Sequence, residues 1–97
     1  IIEVKSASGA ERSKIKKDLE TLSLFVKKVN YERAIYLLYG YDLDNKLDII
    51  KDEANKIPNI AMIEVWFHNS HEESANLIYL IGHNANTSSE SEIRAIR

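Results

Sequence analysis

The sequence predicts an α/β fold: a mixed sheet flanked by helices, in the order strand-helix-strand-helix-strand-strand. Three observations carry that reading. Apolar residues alternate at the start of the chain, with Ile2 and Val4 on one side and Glu3 and Lys5 on the other. Two longer stretches repeat their apolar residues at steps of three and four, the spacing of a helix face. Three further β-branched or aromatic runs, around residues 33–40, 61–67 and 77–81, end at or near Gly or polar turns.

Residues 1–5 form the first strand, and Ser6-Ala7-Ser8-Gly9 a turn in which Ser6 or Ser8 can cap the first helix. Over residues 10–29, Ile15, Leu19, Leu22, Val26 and Val29 make one apolar stripe, which Leu24 and Phe25 widen near its end. Lys27 and Lys28 suit the negative end of that helix, and Asn30 stops it. The unbroken apolar run of residues 33–40, closed by Gly40, predicts a strand buried on both faces. Asp42 or Asp44 can cap a second helix through Leu47, Ile50, Ala54 and Ile57, ended by Pro58. A strand over residues 61–67, a polar loop over 68–75 and a strand over 77–81, stopped by Gly82, complete the sheet. In the strand over 61–67, Glu64 and Trp66 oppose Val65 and Phe67, so one side of it borders solvent or a partner. Residues 84–97 read as a polar tail with a short helical stretch over 92–97.

Ninety-seven residues suffice for one small domain, placed here at residues 1–83. A hydrophobic share of 44% with three Gly and one Pro excludes disordered and collagen-like chains. No apolar run is long enough to span a bilayer. The absence of Cys excludes a disulfide framework and a thiolate zinc site, and suits a reducing, intracellular compartment such as the cytoplasm. The chain opens inside a strand without an initiator Met, as a piece of a longer protein would.

Charge is divided unevenly. Residues 1–33 balance at +3 and residues 34–97 at −5, within a net charge of −2. Much of the basic excess lies on the first helix, at Arg12, Lys14, Lys16, Lys17, Lys27 and Lys28, a solvated face that can also follow a phosphate backbone.

Glu3 and Lys5 project from one strand face about 6.5–7 Å apart. This pairing suits phosphodiester hydrolysis. Glu3 offers a hard carboxylate oxygen to a divalent metal and the Val4 carbonyl a second oxygen, while Lys5 can orient or deprotonate water and offset phosphate charge. Oxygen donors favour Mg²⁺ or Mn²⁺ over zinc. A second acid-x-Lys triplet, Asp44-Asn45-Lys46, falls at a helix start, where capping accounts for it.

Glu3-Val4-Lys5 at a strand end, then a short turn, a helix reading Ile15-Lys16-Lys17-Asp18-Leu19-Glu20-Thr21-Leu22 and a buried strand at residues 34–39, resembles the second half of a PD-(D/E)xK nuclease core. This is the restriction-endonuclease-like superfamily. The resemblance covers residues 1–40. It implies Glu3 as a metal ligand, Lys5 as the catalytic lysine, and Lys16 and Lys17 on a helix facing the active site. It also implies a further acidic residue, usually Asp, on a preceding strand that this stretch of sequence does not contain. The expected fold is thus a restriction-endonuclease-like core without its N-terminal strands, cutting nucleic acid, DNA first among the candidates, with Lys14, Lys16 and Lys17 gripping the backbone. Cutting both strands of a duplex would favour a homodimer. The alternative reading is a non-catalytic α/β interaction module, or a degenerate nuclease-like domain, that docks a partner through its acidic second half or the Trp66 strand.

Other constellations carry less. His68 and His71 beside Glu72 and Glu73 read as a hairpin tip rather than a metal site, and His83 has no evident partner in the sequence. Tyr31, Tyr36, Tyr39, Tyr41 and Tyr79 read as sheet and core packing rather than base-stacking platforms. Residues 6–10 lack the spacing of a phosphate loop, and the sequon at Asn86-Thr87-Ser88 stands without other signs of secretion.

Overall fold

The computed structural model describes residues 1–69 and 74–82. Its elements are β1 (Ile2–Ser6), α1 (Arg12–Val29), β2 (Ile35–Tyr39), α2 (Asp44–Asn55), β3 (Ile63–His68) and β4 (Asn76–Ile81). They form one four-stranded sheet in the spatial order β1-β2-β3-β4. The first three strands run parallel and β4 pairs antiparallel with β3, so the sheet is mixed as the sequence predicts. The parallel pairs are joined through α1 and α2, and the final pair by the short connection after His68.

Both helices cover the same face of the sheet. Ile15, Leu19 and Leu22 of α1 and Ile50 and Ala54 of α2 pack in one cluster with Tyr36, Leu38, Ile63, Val65 and Phe67. Two crossovers of one hand between successive neighbouring strands place their helices on a common side. Alternation then decides the rest. In β2, Tyr36 and Leu38 are buried beneath the helices, while Ile35 and Leu37 on the other face are half-buried and Tyr39 is exposed. The expectation that this strand is buried on both faces is therefore corrected: among the described residues only one layer of helices exists to cover it.

Some local expectations are also corrected. The N-cap of α1 is Glu11, with no side-chain cap bond, and neither Ser6 nor Ser8 serves there. The Ser6 hydroxyl instead accepts from the Gly9 N–H at 3.1 Å, closing the turn after β1. Leu43 occupies the N-cap of α2, Asp42 adopts a left-handed conformation, and Asp44 sits in the first helical turn. Leu24, Phe25 and Val29 are exposed rather than part of the buried stripe. Ser23 is buried in their stead, and its hydroxyl accepts from the Ala61 N–H at 2.8 Å ahead of β3. At the other end of α1, Lys27 and Lys28 hold the last turn and Asn30 caps it with φ 59°, as predicted.

One buried acid ties the two helices together. Glu53 of α2 accepts from Arg12 of α1 at 2.6 Å and from Lys56 at 2.9 Å. Those two donors, Lys56 foremost, hold its carboxyl below the usual glutamate range against the opposing effect of desolvation.

Candidate functional site at the edge strand

β1 is an edge of the described sheet, with β2 as its only neighbour there. Its register pairs Glu3 with Tyr36 and Lys5 with Leu38, so both charged side chains lie on the face that carries the helices. Val4 turns its side chain to the opposite, exposed face. The backbone alternates as well. Ile35 donates its N–H to the Ile1 carbonyl, and Ala7 donates to the Tyr39 carbonyl, so the odd-numbered residues of β1 carry the ladder. The carbonyl of Val4 therefore points to the outer edge, away from β2.

Lys5 reaches beneath α1. Its Nζ lies 3.2 Å from Asp18 Oδ2, with the two side chains only 22% and 14% exposed. The hydroxyl of Tyr36 donates to the same Oδ2 at 2.7 Å. Tyr36 is fully buried. Burial, with the hydrogen bond to Asp18 and the negative charges of Asp18 and Glu3, pushes its phenol well above the ordinary tyrosine range. Glu3, Lys5, Asp18 and Tyr36 thus form one polar cluster between the edge strand, its neighbour and the first helix.

Sequence reasoning found Glu3, Val4 and Lys5 but missed Asp18 and Tyr36. A signal was present for each. Asp18 stands three residues after Ile15 and four before Leu22, an acid on the flank of the buried stripe. Tyr36 is an inward-facing polar tip within an otherwise aliphatic buried set in β2.

The basic residues of α1 divide. Lys14, Lys16 and Lys17 are all exposed. At 3.6 residues per turn, Lys14 stacks one turn before Asp18, and Lys17 points away from the buried stripe. Lys16 falls on the other flank, that of Ser23, which bonds Ala61 near β3. Lys14 therefore shares the cluster's side of the helix, whereas Lys17 faces away from the buried stripe and Lys16 lies on the opposite flank.

Glu3 and the Val4 carbonyl are hard oxygen donors of the kind Mg²⁺ takes, and Mg²⁺ commonly keeps several waters beside one or two carboxylates. Among the described residues, no group of three or more His, Asp or Glu side chains is placed to hold a metal ion. The donors present fit such an ion in kind.

Of the tyrosines expected to pack in the sheet and core, Tyr36 and Tyr79 do so, whereas Tyr31, Tyr39 and Tyr41 are exposed. Lys46 of the second acid-x-Lys triplet donates to the Ala10 carbonyl at 3.0 Å, fastening α2 to the turn before α1. Tyr79 packs under Lys51, whose Nζ lies 4.7 Å from the ring centroid. Glu64 accepts two bonds from Arg33 at 2.7 Å and one from the Trp66 indole at 3.0 Å. His71, Glu72, Glu73, His83, the sequon and the polar tail lie outside the described residues.

The fold and this cluster define a small α/β domain with a charged edge-strand site. Comparison with known protein families, with curated proteins and with solved structures found no match for the chain. Among the described residues, no helix is long and apolar enough to cross a membrane.

Proposed function

We propose that this chain carries part of a PD-(D/E)xK-type nuclease core and takes part in metal-dependent phosphodiester hydrolysis of nucleic acid, with DNA as the first substrate to test. One observation carries the reading. Glu3 and Lys5 share a face of the edge strand while the Val4 carbonyl points to its outer edge, so two oxygen donors and an ammonium are carried by three successive residues at one border of the described sheet.

Glu3 and the Val4 carbonyl would hold Mg²⁺ or Mn²⁺, together with a further carboxylate from outside the described residues. A bound divalent ion there would polarise the phosphate and lower the pKa of a water. Lys5 orients the attacking water and offsets charge that builds on the phosphate oxygens. The water oxygen bonds to phosphorus, the bond from phosphorus to the leaving oxygen breaks, and the water proton passes to solvent. Lys14, one turn before Asp18, and Lys16 and Lys17, exposed elsewhere on α1, follow the nucleic-acid backbone.

A plasmid-nicking assay on the full-length protein with Mg²⁺ or Mn²⁺ tests this. Cleavage should require the metal and vanish in Lys5→Ala and Glu3→Ala, with circular dichroism unchanged. A Lys5→Ala protein that cuts as well as the parent ends the proposal.

A second reading is favoured by the opposite face. Ile2, Val4, Tyr39 and Met62 are exposed on the side of the sheet that the helices leave bare. That face supports a non-catalytic module, or a degenerate nuclease-like domain, that binds a partner. This reading predicts metal-independent stability and no effect of Glu3→Ala on partner binding.

A further inference from the structure

We infer that Asp18 is the positioning residue for Lys5, and that Tyr36 in turn fixes Asp18, so that the lysine meets a phosphate as an aimed cation. The inference rests on the nuclease reading for its catalytic meaning and on geometry for its substance.

A lysine side chain has four rotatable torsions, and confining it costs on the order of 1.5–2 kcal/mol in lost rotamer freedom. Without a fixed partner, an ammonium on an edge strand would sample solvent. Here the partner is fixed. Asp18 sits mid-way along α1, between the buried residues Ile15 and Leu22. Its Oδ2 receives Lys5 Nζ at 3.2 Å and the Tyr36 hydroxyl at 2.7 Å. The Tyr36 ring is fully buried in the core, so its hydroxyl has one place to donate. The chain of contacts therefore runs from the packed core, through phenol and carboxylate, to the ammonium.

Asp18 meets the Lys5 ammonium as an ion pair at 3.2 Å, and an ammonium carries three N–H groups with which to meet a phosphate oxygen and a water as well. Glu3, opposite Tyr36 in the register, is the other charged group on this face of β1.

The test uses the full-length protein and its Asp18→Asn and Tyr36→Phe variants, with two independent measurements. The first needs neither metal nor nucleic acid: ¹H–¹⁵N NMR of lysine ammonium groups, with Lys5 assigned by loss of its signal in Lys5→Ala. The anchored Lys5 signal should be visible in the parent, shifted in Tyr36→Phe and lost to solvent exchange in Asp18→Asn. The second is cleavage of plasmid DNA with Mg²⁺. Asp18→Asn should lower kcat roughly 10- to 100-fold with little change in KM, and Tyr36→Phe by less, the usual range for partners that orient a reacting group. An unchanged Lys5 signal in Asp18→Asn overturns the inference, as does a rise in KM at constant kcat. If Asp18→Asn does not fold, Tyr36→Phe, which keeps the ring in place, decides between the same outcomes. A parent protein that cuts no DNA with either metal defeats the nuclease reading instead, whatever the ammonium signals show.

Discussion

At the scale of single residues, two acids are placed where acids are costly, and each is matched by donors. Asp18 is held by Lys5 and Tyr36, and Glu53 by Arg12 and Lys56. Glu53 has a clear pH consequence. Its carboxyl titrates below the usual value in the folded state, so its contribution is fully present above the unfolded-state pKa, about 4.3, and is lost as pH falls through the lower folded value. Thermal melts between pH 2 and 7 should therefore show an acid limb that is shallower in Glu53→Gln than in the parent. An identical limb in both would mean that other carboxylates dominate acid unfolding. Ser23 makes a second residue-scale case. Ser23→Ala would strand the Ala61 N–H near the helix–sheet interface and should cost roughly 1–3 kcal/mol in urea denaturation. Phe25→Ser, on the exposed side of the same helix, should change stability far less.

At the scale of elements, the order and type of all six were readable in the sequence, the first strand and both helices from their periods and the other strands from apolar runs, with stops such as Asn30, Gly40 or Pro58. The helix caps were not readable in this way. Serine and aspartate mark a helix start only when backbone geometry aims them at the first N–H groups, and here Glu11 and Leu43 hold those positions. The site was half legible for a similar reason. Glu3 and Lys5 are two residues apart on one strand, so local geometry brings them to one face. Asp18 and Tyr36 are 18 residues apart and meet only because α1 folds back over β1 and β2. Period also overreached: Leu24 and Phe25 are apolar near the stripe, yet α1 buries Ser23 beside the entry to β3 and leaves both outside. Solvent-facing aromatics still find partners, as Phe25 does with Tyr31 at 6.3 Å between centroids.

At the scale of the whole molecule, the two sheet faces have different characters. One is closed by both helices and holds the core, with the Glu3–Lys5–Asp18–Tyr36 cluster at its border. The other keeps apolar side chains exposed, from Ile2 and Val4 across to Tyr39 and Met62. Metal binding separates the two functional readings at this scale. If Glu3 contributes a ligand, millimolar Mn²⁺ should raise the melting temperature of the full-length protein by mass action, and the shift should disappear in Glu3→Ala. A shift that persists in Glu3→Ala would locate the ion elsewhere.

Among the described residues no strand lies beside the outer border of β1, which has a consequence for assembly. A row of unpaired amides and carbonyls along an edge invites another strand to dock there. Any such strand would hydrogen-bond to Ile2, Val4 and Ser6 in turn, and at Val4 it would claim an oxygen that the proposed chemistry also needs. Docking along the full length and ion binding at this position are then in competition. On the proposed chemistry, a strand docking here would have to leave the Val4 carbonyl uncovered.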